Sequence, residues 1–291
     1  MLPIFVFCDL FMTSEFALLY VVPTPLGNLN DISDRARSVL CEVVWVAAED
    51  TRHSAPLLKY IGSRARLMAA HQHNEHAAAE QVLARLLAGE SVAVISDAGT
   101  PGISDPGAYI VAHVRAAGGK VIPIPGPCAA ATALSAAGLK DERWLFYGFL
   151  PAKSGQRQKA LAEVATLPYA LVFYEAPHRV LESVADLSAT LGAKRTLVIA
   201  RELTKQFETI HSLPLGEALE WLTADAMRQK GEFVLIVSGA AAAGNDGEGE
   251  RILKLLLAED LPVKQAAKLA AAITGTSKNA LYARALALKE R

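Results

Sequence analysis

Twelve residues, Ser96 to Gly107 (SDAGTPGISDPG), constrain this chain more than any other stretch. Three glycines and two prolines in that span exclude a regular helix and a regular strand alike. The span follows a fully apolar β-run, Val92 to Ile95, and precedes a helix-like segment, Ala108 to Ala117. It is therefore a strand-to-helix crossing of an α/β unit. Asp105 is expected to cap the helix, with Pro106 at the first helical position, where a missing N–H costs nothing. Open α/β sheets hold ligands at such loops, at the carboxyl ends of parallel strands, because backbone without side chains admits close approach. A single loop of this kind also reads as an elaborate turn, and only recurrence separates the two readings.

The design recurs. Leu18 to Val22 reads as a β-run followed by Pro23 to Leu29 (PTPLGNL), and Val121 to Ile124 as a strand followed by Pro125 to Gly138 (PGPCAAATALSAAG), a turn entering a small-residue helix. Between them, helices are expected at about Asp31 to Leu40 and Asn74 to Ala88, and strands at Val43 to Ala47 and Ala65 to Ala69. Three special crossings fall on one edge of a parallel sheet, and one cleft explains all three. A second unit begins near Trp144, with strands expected at Leu145 to Leu150, Ala170 to Tyr174, Leu197 to Ala200 and Phe233 to Val237. Charged clusters stand where its strands end, and Pro151 to Lys159 (PAKSGQRQK) is a basic loop running into a helix. Any one of these charges also reads as an ordinary solvated group.

The expected organisation is an extension at 1–17, α/β domains at 18–140 and 141–240, a linker at 241–249 and a helical tail at 250–291. Hydrophobic residues at 52% and charged residues at 20% are enough for two buried cores. A formal net charge of −1 gives no global basic field, so a nucleic-acid site must be local. The tail supplies one, with eight basic residues against four acidic. Its three expected helices, Arg251 to Ala258, Val263 to Ile273 and Lys278 to Leu288, place Gly275 in a turn compatible with helix-turn-helix and equally with a plain helical cap. Cys8, Cys41 and Cys128 have no metal-like or disulfide-like spacing, which fits a reducing cytoplasm. The apolar run Leu2 to Met12 carries Asp9, lacks a basic flank and is too short to span a bilayer. Met12 is the expected start.

No G-x-G-x-x-G follows a strand, and neither a Walker A motif nor a G-x-S-x-G elbow is present, which sets aside nicotinamide, NTPase and common hydrolase readings. His71, His73 and His76 have H-x-H-x-x-H spacing like the start of a zinc site, but Glu75 stands where that pattern has aspartate. Asn74 and Glu75 equally open the next helix, and no metal is expected.

Eight motifs carry a resemblance: PTPLGNLNDIS, AAEDTRHS, SDAGTPGISDPG, PGPCAAATALSAAGL, GFLPAKS, FYEAPHR, ARELTK and KGEFVLIV, in this order. Together they resemble the ribosomal RNA small subunit methyltransferase I family, within the tetrapyrrole-methylase (class III methyltransferase) fold group. The resemblance implies two α/β domains with a helical extension, S-adenosylmethionine between the domains, a cytoplasmic homodimer, and methylation of a cytidine ribose 2′-oxygen in the decoding region of 16S rRNA. It implies a cofactor site of Pro23, Asp97, Ala98, Gly99, Thr100, Ile103, Cys128, Ala129 and Ala130 from the first domain, and of Tyr174, Glu175, Glu202 and Leu203 from the second. His53, Glu175, His178, Arg201 and Lys205 sit at strand ends and are candidates for assisting loss of the hydroxyl proton. Lys153, Arg157, Lys159, Lys264, Lys268, Lys278 and Arg284 are the candidate RNA contacts. A tetrapyrrole C-methyltransferase and a catalytically silent RNA-binding relative are the alternatives. Two separated basic surfaces argue against a small acidic substrate.

Overall fold

A computed structural model of the chain describes residues 17–240, 246–259 and 261–289. The expectations for residues 1–16, the Met12 start among them, and for residues 241–245 of the linker lie outside the described residues.

The first half is doubly wound. Strands β1 (Leu19–Val21), β2 (Trp45–Ala48), β3 (Arg66–Ala69), β4 (Val92–Ile95) and β5 (Val121–Pro123) form a parallel sheet in the order β3-β2-β4-β1-β5. Central β4, reading VAVI, is buried at every position, as a strand covered on both faces requires. Helices α1 (Asp34–Glu42) and α2 (Thr51–Ile61) cover one face through Val39, Leu40 and Leu58. Helices α3 (Glu75–Leu87) and α4 (Ala108–Ala116) cover the other through Val82, Leu86, Ile110 and Val114.

The second half carries a mixed sheet. Its strands β6 (Trp144–Phe149), β7 (Ala170–Glu175), β8 (Thr196–Arg201), β9 (Thr209–Pro214) and β10 (Phe233–Val237) stand in the order β6-β7-β10-β8-β9. Because β10 runs antiparallel to β7 and β8, its first residue, Phe233, registers with Glu175 and Arg201, the last residues of those strands. Helices α6 (Ser154–Val164), α7 (Val180–Leu191) and α8 (Ala218–Thr223) pack one face. The other face is covered by α5 (Ala129–Ala137), whose Ala130, Ala133 and Ala137 meet Val172, Val198 and Ile236. Alanine side chains let this helix of the first half lie close to the second sheet, so the halves share a packed layer.

The tail helices α9 (Asp246–Ala258), α10 (Val263–Thr274) and α11 (Lys278–Lys289) close around their own core of Leu253, Ala266, Ala270 and Leu281. Gly275 ends α10 in the left-handed conformation. Three local expectations change. Helix α9 begins at Asp246, inside the stretch read as linker. Strand β9 has no sequence-based counterpart, because its residues TIHSLP form a half-exposed edge ending in proline. Asp105 does not cap α4: the helix starts at Ala108, and Glu75 Oε1 accepts from the Gly107 and Tyr109 amides at 2.9 and 3.3 Å instead. No helix among the described residues is long and apolar enough to cross a membrane.

Candidate active site

Three loops of the first sheet are stitched together where β1, β4 and β5 end. Thr24 and Gly99 exchange both backbone hydrogen bonds, at 2.9 and 3.0 Å, forming an isolated antiparallel bridge. Gly99 does so at φ 80°, a conformation that costs glycine nothing. The Thr24 hydroxyl donates to the Ser96 carbonyl at 3.0 Å, and the Thr100 hydroxyl to the Pro127 carbonyl at 2.8 Å. The recurring Pro/Gly turns are one built surface.

That surface is one wall of a cavity of about 540 Å³, within the range of small-molecule sites. Asp97 to Thr100, Ile103, Cys128 and Ala129 line it from the first half; Tyr174 to His178, Leu203 and Phe233 to Val234 line it from the second. Three carboxyl groups, those of Glu49, Asp97 and Asp105, shape its charge on the first wall. Asp97 Oδ1 accepts from the Asp50 amide at 3.1 Å, and Glu49 Oε2 accepts from the Asp97 amide at 3.5 Å, tying the ends of β2 and β4. Asp105 stands half-buried beside them, its carboxyl pushed up to about 7, first by burial and then by the Glu49 charge. Burial and the Asp97 charge also raise Glu49. Within the cavity lining, these three carboxylates have no salt bridge to a basic side chain.

The second wall is different. Glu175, 2% exposed, ion-pairs with Arg179 at 3.0 Å and also accepts from the Ser183 hydroxyl and, at 2.8 Å, from the Ala176 amide. Arg179 additionally donates to the Leu150 carbonyl at 2.6 Å. Lys205 Nζ bridges Glu202 at 2.9 Å and Glu232 at 2.7 Å. Burial opposes the Lys205 charge, but these two carboxylates hold its ammonium above the ordinary lysine value. The lysine stem lies over Gly27 of the first half, where a Cβ would collide with Lys205 Cγ. The Tyr174 hydroxyl accepts from the Ala130 amide at 3.0 Å, joining the walls, and burial raises the phenol above its usual value.

Several expected site residues lie elsewhere. Arg201 is 9% exposed and spends its guanidinium on the Met227, Lys230 and Phe207 carbonyls, so it holds loops and does not face the cavity. His53 is exposed on α2, outside the lining. Pro23 and Ala130 are buried behind the wall, and Glu202 is committed to Lys205 and the Glu232 amide. Arg157 is no RNA contact: 1% exposed, it pairs with Asp186 at 2.6 Å and donates to the Ala152 carbonyl. Lys153, Lys159, Lys264, Lys268, Lys278 and Arg284 are exposed, Arg284 pairing with Glu250. His76 packs on Tyr109 with ring centroids 4.0 Å apart, and among the described residues no group of three or more His, Cys, Asp and Glu could hold a metal ion. Leu26, Glu49, Asp105, Phe149 and Glu232 line the cavity unanticipated; Glu49, directly after a strand on the ligand edge, was the one with a readable signal.

Residues 18–219 match the family model of Tetrapyrrole (Corrin/Porphyrin) Methylases, and residues 243–289 that of the RsmI C-terminal HTH domain. The chain is 54% identical over 270 residues to Ribosomal RNA small subunit methyltransferase I of Escherichia coli O157:H7, covering 92% of this chain and 94% of the relative. It is 53% identical to the protein of that name from Pseudomonas aeruginosa, covering 92% and 96%. Among solved structures, the methyltransferase CobJ superposes with a TM-score of 0.57 at 19% identity, over 77% of this chain and 95% of that one. A Thermus thermophilus uroporphyrin-III C-methyltransferase complexed with S-adenyl homocysteine gives 0.56 at 17%, over 76% and 97%, a likeness of fold.

Proposed function

The chain belongs to the ribosomal RNA small subunit methyltransferase I family, and from that premise we propose that it methylates the ribose 2′-oxygen of a cytidine in the decoding region of 16S rRNA. At the coarser level it is an S-adenosylmethionine-dependent rRNA methyltransferase with the tetrapyrrole-methylase fold. The observation that carries the reading is the cavity where the ends of β1, β4 and β5 of the first sheet face β6, β7, β10 and the turn after β8.

The residues present fit S-adenosylmethionine in size and charge. Backbone at Ala98 to Thr100 and the small side chains Cys128 and Ala129 leave room for it, and Glu49, Asp97 and Asp105 offer counter-charge to a sulfonium and an ammonium. When bound, the cofactor supplies an electrophilic methyl group. The chain's task is to hold an acceptor hydroxyl in line with it and to help the proton leave. Glu175 is committed to Arg179, Ser183 and the Ala176 amide, and Arg201 does not line the cavity, which leaves His178, exposed on the cavity rim, as the proton acceptor. Lys205 is the cation for RNA phosphate or the developing oxyanion, exchanging one of its two carboxylates for it. The exposed lysines of 153–159 and of the tail supply the basic surface, and the working form is a cytoplasmic homodimer.

The test is methyl transfer from labelled S-adenosylmethionine to small ribosomal subunits from a strain lacking this gene, with digestion to locate the label. Label on one cytidine 2′-oxygen is the expected result. Cofactor binding without label on subunits or free 16S rRNA overturns it and moves attention to tetrapyrrole acceptors.

A further inference from the structure

Strand β6 contains a one-residue bulge: Phe146 registers with Val172 and Gly148 with Phe173, leaving Tyr147 unpaired. In a regular strand, residues three apart point to opposite faces. The bulge cancels that alternation, so Phe146 and Phe149 share a face and both meet Tyr174 edge-on, at 4.9 and 5.7 Å, while Tyr147 turns the other way onto Phe173. Gly148 makes the turn at φ 81°, and a Cβ there would stand 2.8 Å from Ser104 Oγ, so the bulge also sits against the Ser96–Gly107 loop. The product is an aromatic ring, Phe149, that lines the cavity yet remains 51% exposed. Core packing does not need such a ring. The chain then passes through Lys153 into α6, which carries Lys159, both exposed.

An exposed aromatic face at the mouth of a methyl-transfer cavity, followed by free cations, has the chemistry of single-stranded nucleic-acid recognition, in which the ring stacks a base and the cations hold the backbone. Resting on the rRNA methylation reading above, we propose that Phe149 is the stacking platform for the nucleobase of the acceptor nucleotide, aimed there by the β6 bulge. A base stacked on it leaves its own ribose at the cavity mouth, next to the space for the transferable methyl. The ring is braced by Tyr174, whose hydroxyl is fixed by the Ala130 amide, so platform and cofactor wall form one unit.

The test compares Phe149→Ala, Phe149→Leu and Phe149→Trp with the unaltered protein. Steady-state methylation of unmethylated small subunits gives kcat and KM for the acceptor, and calorimetry gives S-adenosylmethionine affinity. Phe149→Ala is expected to lower kcat/KM for the acceptor by about 5- to 150-fold, the worth of one stacked base, and Phe149→Leu by nearly as much. Phe149→Trp is expected to stay within about threefold of the unaltered protein, and cofactor affinity within about twofold in all three. Equal activity of Phe149→Ala overturns the proposal, as does a loss of cofactor affinity that matches the loss of activity, or full activity of Phe149→Leu. If the unaltered protein methylates no rRNA, the functional reading itself fails and this proposal with it.

Discussion

The two walls of the cavity handle charge in opposite ways. Around the second wall the strand-end charges turn to neighbours: Glu175 to Arg179 and Ser183, Lys205 to Glu202 and Glu232, and, behind the wall, Arg201 to three carbonyls. On the first wall, Glu49, Asp97 and Asp105 are tied to backbone and to a hydroxyl, and their burial together raises Glu49 and Asp105. A charge cluster at a strand end therefore does not by itself mark chemistry. Internal balance separates the two clusters: the second is closed largely on its own partners, whereas Glu49, Asp97 and Asp105 have no basic partner within the cavity lining.

The largest expected effect tests the saturated wall. Arg179→Ala strips a 2%-exposed carboxylate of its only cation and should cost about 3–5 kcal/mol of stability, read by denaturant or thermal unfolding. A variant as stable as the parent breaks the comparison. Next comes Asp105→Asn on the unbalanced wall. With its carboxyl raised to about 7, the folded state binds more protons than the unfolded one between pH 4 and 7, so this group lowers stability as pH rises through that window. The Asn variant lacks this loss: it should match the parent near pH 4 and exceed it at pH 8 by on the order of 1 kcal/mol, the group being partly solvent-screened. Its affinity for S-adenosylmethionine should fall several-fold at pH 8, and that for the demethylated product, whose sulfur carries no charge, less, by calorimetry.

Lys205→Ala should cost under about 1 kcal/mol of stability, since its pairs are partly exposed, while slowing methylation about tenfold with cofactor affinity unchanged. An unchanged rate returns Lys205 to the architectural set. The smallest effects belong to Lys153→Ala and Lys159→Ala, neutral in stability to within about 0.5 kcal/mol. Each should flatten the salt dependence of binding to small subunits by about one ion.

Much of this was legible in the residues. The parallel sheet follows from apolar runs such as VAVI between amphipathic segments, and the ligand edge from glycines and prolines that permit no other structure at Ser96 to Gly107. Individual side chains were harder to place. Arg157 and Lys153 look alike in a basic loop, and only the α6–α7 packing buries one against Asp186 and leaves the other in water. Arg201 resembles a catalytic cation until the start of β9 and the Met227–Lys230 turn, the latter distant in sequence, surround it. Phe149 was hidden because a bulge reverses the strand alternation from which its direction is read, and a bulge is a property of pairing, not of local sequence.

The strand order also fixes when the site can exist during synthesis. β1 lies between β4 and β5, so this strand has no partner until residues 92–95 and then 121–123 have emerged. The second sheet waits longer, because its middle strand β10 spans residues 233–237 and completes the cavity with Phe233 and Val234. At about 5–20 residues per second, the nascent chain spends roughly 10–50 s with unpaired apolar strands before a pocket forms. Chains truncated before β10 should thus be recognised by chaperones and not by the cofactor, which makes cofactor binding a report that the chain has been made through β10.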